Sequence, residues 1–90
     1  MATMIVRFRV EDFDRWKRVF DAMAPVRREH GIVGASIHRD AGDPGRVVTI
    51  LTAGSLEEAR AWGRSEALHR AMEDGGVTGT PDVQLLEDVP

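Results

Sequence analysis

The sequence predicts a single α+β domain of order βαββαβ, a four-stranded antiparallel sheet with its helices on one face. Three observations predict it. The chain opens and closes on segments that alternate apolar and polar residues with a period of two. A helical stretch with an apolar stripe follows the first strand, and another follows the third. A run of turn formers between them divides the chain into two βαβ halves of similar length.

The first strand is Thr3 to Val10, with Met4, Val6, Phe8 and Val10 on one side and Ile5, Arg7 and Arg9 on the other. Asp12 can cap the helix that follows, and Asp14 suits its first turn. Phe13, Trp16, Phe20 and Met23 recur at spacings of three and four, with Val19 beside them. Pro25 lies inside that pattern and predicts a kink or a broken last turn. Arg27-Arg28-Glu29-His30-Gly31 reads as the helix end, cations first and then a residue tolerant of positive φ.

Ile32 to Asp40 and Arg46 to Ala53 are the next two strands, with Ala41 to Gly45 as the turn of a hairpin. In-register pairing sets His38 opposite Thr49 and Ser36 opposite Leu51, with Ile37 and Arg39 sharing the other face with Val48 and Ile50. Ser55-Leu56-Glu57-Glu58 is a capping box for a helix through Ala59 and Trp62 to Gly63. Ser65 recaps a second piece carrying Leu68, Ala71 and Met72, which Gly75-Gly76 ends. Thr78 to Pro81 reads as a turn, and Asp82 to Val89 as the last strand. The whole is the ferredoxin-like plan, one domain over residues 1–90.

Composition narrows the function. At 90 residues, 42% hydrophobic and 30% charged, the chain has apolar material enough to fold. With no cysteine there is no disulfide framework, thiolate nucleophile or cysteine-ligated metal. A net charge of -3 argues against nucleic acid as the main partner. Apolar runs such as Val47 to Ala53 fall far short of the ~20 residues of a membrane helix. The opening segment reads as a strand rather than a secretion signal, so the expectation is a cytoplasmic protein with no membrane partner.

Helices on one side leave the other face of the sheet bare. That face would hold Ile5 and, depending on parity, either Leu51 and Ala53 or Val48 and Ile50. A second copy packed sheet on sheet removes the patch from water, so a homodimer is expected.

At this point the chain resembles the dimeric α/β-barrel superfamily, in particular its antibiotic-biosynthesis-monooxygenase-like and small polyketide-cyclase-like members. The resemblance is carried by Phe13 to Phe20, the hairpin His38-Arg39-Asp40 with Asp43-Pro44-Gly45-Arg46, and Ser55 to Trp62. Ser65-Glu66-Ala67-Leu68 and Gly76-Val77 complete it. It implies a pocket between sheet and helices for a flat hydrophobic molecule, aromatic or polyketide-like. It also implies a choice among cofactor-free monooxygenation, cyclisation or isomerisation and a non-catalytic small-molecule-binding or stress-related dimer, because fold does not fix function. In the cofactor-free oxygenases the substrate itself reduces dioxygen, and the protein deprotonates it, holds it and excludes water. A haem-degrading branch uses a helix His, an Asn on strand one and a Trp on the second helix. Here Trp62 matches and His69 follows it, but Met4 to Val10 contains no Asn. The expectation is no cofactor.

Among candidate residues, His38 has small or polar neighbours in Gly34, Ser36 and Thr49. It is either the catalytic proton acceptor or a strand histidine bonded to Thr49. With His38 as the base, Ser36 and Thr49 orient the ligand, Leu51 adds apolar lining and Trp62 forms a wall. Arg7 and Arg9 either hold an anionic group or pair with Glu87 and Asp88. Trp16, at helical spacing, is core. Three scattered histidines do not have the spacing of a metal site.

Overall fold

A computed structural model describes residues 1–90, and its element order is the expected one with both helical stretches split in two. The strands are β1 (Ala2–Val10), β2 (Ile32–Asp40), β3 (Asp43–Ala53) and β4 (Val77–Glu87). Between β1 and β2 lie α1 (Phe13–Ala22) and α2 (Ala24–Glu29). Between β3 and β4 lie α3 (Leu56–Arg64) and α4 (Glu66–Asp74). Strand order across the sheet is β2-β3-β1-β4, every neighbour antiparallel. No helix is long and apolar enough to cross a membrane.

Alternation in β1 decides which face is the core. Ala2, Met4, Val6, Phe8 and Val10 are buried, and from β3 they are joined by Val47, Thr49, Leu51 and Ala53. Trp16 of α1 rests on this floor, its ring centroid 5.2 Å from Phe8, 5.7 Å from Phe13 and 5.1 Å from Phe20. The local signals act as read: Asp12 accepts from the Arg15 N–H, Ser55 from Glu58 and Ser65 from Leu68. Pro25, which has no N–H to continue the ladder, falls in the first turn of α2, and the chain breaks at Met23. Gly31 closes α2 at φ +83, with the Glu58 carboxylate lying where a side chain at that position would stand.

Two expected turns are corrected. The β2–β3 turn is centred on Ala41-Gly42, not on the whole Ala41 to Gly45 run. Asp40 and Asp43 each bend the chain by accepting a backbone N–H two residues on, from Gly42 and Gly45. The extra residues are absorbed as a register shift at the start of β3, and the pairing moves by one. His38 lies opposite Val48, Ile37 opposite Thr49 and Ser36 opposite Ile50. Likewise Thr78 to Pro81 is not a turn between elements but an irregularity inside β4, with Gly79 at φ +70 and the register against β1 shifting between Arg7 and Arg9.

The bare face of the sheet therefore carries Ile5, Val48, Ile50 and Leu86 among polar side chains, the second of the two parities. Arg9 pairs there with Asp43 at 2.6 Å and Arg7 approaches Asp82 at 3.8 Å, rather than Glu87 and Asp88.

Candidate functional site

Between the inner face of the sheet and the helices lies a cavity with a nearly continuous apolar lining. Its floor is Val6 and Phe8 of β1 with Thr49 and Leu51 of β3. One wall comes from the stripe of α1, from Met23 and from Arg27 of α2. The other is Trp62 of α3 with Leu68, Ala71 and Met72 of α4. Its free volume is about 40 Å3, room for a water or two and well below the ~300 Å3 at which ligand sites usually begin. Outside it, between α1, α2 and α4, is a recess of about 430 Å3 that shares Val19, Met23 and Ala71 with the cavity. Those three side chains separate the two spaces. Met23 and Met72, both in the cavity lining, are unbranched and adapt their shape readily.

Four lining residues bring N–H or O–H groups: Thr49, Arg27 and the indoles of Trp16 and Trp62. Thr49 is 3% exposed. The Trp62 indole N–H is buried with no hydrogen-bond partner, an unusual state for a group that normally finds one. Arg27 is 8% exposed. Its Cζ stacks 3.6 Å from the centroid of the Phe20 ring, and Nη1 donates to the Phe20 carbonyl at 2.6 Å. No carboxylate forms an ion pair with it. Burial pulls its pKa down from the ordinary arginine range, Asp21 opposes that and Arg28 adds to it. It remains a cation at working pH. Behind Trp62, His30 packs ring to ring at 5.1 Å, and its Nδ1–H donates to the Val26 carbonyl at 2.8 Å.

The sequence-predicted residues fall into two groups. Thr49, Leu51 and Trp62 meet at the cavity. His38, Ser36, Arg7 and Arg9 stand on the bare face, where His38 Nε2 lies 3.0 Å from Ser36 Oγ. Because the β2–β3 register differs by one, His38 does not share a side with Thr49. His69 is exposed on α4, its Nδ1–H donating to the Ser65 carbonyl, and it lines neither the cavity nor the recess. It is not placed to ligate a haem in that space. No group of three His, Asp or Glu side chains is arranged to hold a metal ion.

Arg27 of the lining, and His30 that packs behind Trp62, were missed, yet a signal existed. They continue the stripe of Phe13, Trp16, Phe20 and Met23 at the same alternation of three and four. The break at Met23 does not interrupt it.

No protein-family model matches the sequence, and no curated protein matches it. Solved structures do match over almost the whole chain. An antibiotic biosynthesis monooxygenase superposes with a TM-score of 0.73 at 17% identity, covering 100% of both chains. A candidate enzyme of that name from Bordetella bronchiseptica gives 0.82 at 14%, covering 99% of this chain and 97% of the other. SnoaB, a cofactor-independent oxygenase from Streptomyces nogalater, gives 0.77 at 16%, covering 99% and 93%. At these identities the likeness establishes a common fold.

Proposed function

Starting from the fold shared with antibiotic biosynthesis monooxygenases, we propose that this protein binds a flat, hydrophobic aromatic or polyketide-like molecule in the cavity and oxygenates it without a cofactor. The observation that carries this reading is the apolar cavity whose N–H and O–H groups are those of Thr49, Arg27, Trp16 and the unpartnered Trp62 indole. Such a site holds an aromatic skeleton by area and orients it by a few donors. It has no carboxylate or imidazole in its lining, so it offers stabilisation of an anion rather than a base. An electron-rich substrate that has lost its acidic proton to water supplies the electrons: an activated CH2 takes one atom of dioxygen to become a carbonyl, and the other leaves as water. The walls exclude bulk water from that step.

Two copies meet through the bare sheet face in this reading, covering Ile5, Val48, Ile50 and Leu86. His38 then lies at the subunit interface. The small free volume of about 40 Å3 favours one competing reading, a non-catalytic dimer whose Trp62 is structural.

Anthrone separates the two. Binding is followed by quenching of tryptophan fluorescence, and turnover by an oxygen electrode. Oxygen uptake above the spontaneous rate, lowered at least tenfold by Trp62→Phe, is the expected result. Quenching without uptake would leave only a binder, and no quenching would remove the cavity as a site.

A further inference from the structure

We infer that Arg27 is a specificity-determining residue that selects ligands carrying an anionic oxygen, a carboxylate or a phenolate, on an apolar skeleton. This rests on the cavity being the ligand site. A guanidinium has five donor hydrogens in a fixed fork. Arg27 commits Nη1 to the Phe20 carbonyl, lies against an apolar lining and forms no ion pair at contact distance, with Asp21 acting on it only from farther off. Burying an unpaired charge is costly.

A structural duty does not explain the residue. The Phe20 carbonyl it bonds already accepts the Met23 N–H at 3.2 Å. The Phe20 face it covers would be covered as well by an apolar chain of the same length. What an apolar chain cannot supply is a cation facing a ligand. The Trp62 N–H is a second donor without an acceptor, on the wall formed by α3 and α4. A ligand oxygen bearing negative charge gives the guanidinium an acceptor of opposite charge, and charge-assisted hydrogen bonds are the stronger kind.

The test titrates the full-length protein with naphthoate, naphthol and the neutral naphthamide, followed by tryptophan fluorescence. The expected result is that naphthoate or ionised naphthol binds at least tenfold more tightly than naphthamide. Whichever of the two gains more identifies the carboxylate or the phenolate as the preferred group. Arg27→Met should remove the preference, and Arg27→Lys should restore part of it. Equal binding of naphthoate, naphthol and naphthamide by the wild-type protein would overturn the role of Arg27 and leave the cavity as a neutral site. Failure of all three to bind would overturn both. Because the wild-type comparison alone decides, a variant that fails to fold does not rescue the inference.

Discussion

His38 and Thr49 lie on opposite sides of one sheet: β2 and β3 pair with His38 across from Val48, and Thr49 faces inward beside Val47 and Leu51. That single relationship divides the molecule into an inner cavity and an outer face. His38→Ala should therefore leave naphthamide binding within about twofold. Thr49→Val, which removes a buried hydroxyl at constant shape, should weaken naphthoate by roughly twofold to tenfold, the worth of one hydrogen bond. Calorimetric titration of both variants checks the contrast.

Trp62 separates stability from binding. Its N–H makes no hydrogen bond in the free protein, so Trp62→Phe loses ring volume but no polar contact, and should cost about 1–2 kcal/mol of folding stability. Trp62→Ala, emptying a site that is 2% exposed, should cost about 3–5 kcal/mol. Urea denaturation measures both. Equal losses for the two variants would contradict this assignment.

Arg27→Met should leave folding stability unchanged within about 1 kcal/mol or raise it. The variant removes a buried, unpaired charge and leaves the Phe20 carbonyl bonded to Met23, and apolar replacement of buried charges is often neutral or stabilising. A drop in Tm accompanied by a loss above about 2 kcal/mol would show that the residue is held for the fold.

Gly75→Ala tests packing at the end of α4. A Cβ there would stand 3.0 Å from Trp16 Cδ1 and 3.1 Å from the Ala71 carbonyl. Neither neighbour moves easily, because Trp16 is 5% exposed within the aromatic cluster. The expected loss is about 1–3 kcal/mol, read from thermal unfolding.

Ile50→Glu places a charge at the middle of the bare face, opposite Ile5 of β1. Wild-type protein should run in native mass spectrometry at twice the 10.0 kDa chain mass, and the variant at the mass of one chain. A wild-type monomer would remove the sheet-on-sheet dimer.

Where the sequence was legible, the signal was local. Asp12, Ser55 and Ser65 bond the backbone a turn away, and Pro25 breaks a helix whatever surrounds it. The hairpin was less legible because Asp40 and Asp43 are both turn formers, and only pairing along the whole of β2 and β3 decides between them. Thr78 to Pro81 has the composition of a turn, yet the strand continues because Thr78 and Val77 still pair with Arg9 and Val10. At the site, Trp62 was readable from the helix break beside it. Arg27 was not, since a cation near a helix end is ordinarily a solvated one. Its place on the apolar stripe was the clue, and only the packing of α2 against the sheet gives that clue its meaning.

The most direct measurement is a crystal structure of the protein grown with naphthoate. The ring system is expected between Trp62 and the floor of Thr49 and Leu51, with Met23 and Met72 turned aside and the carboxylate against Arg27. Naphthoate seated on the bare face beside His38, with the interior unchanged, would contradict it.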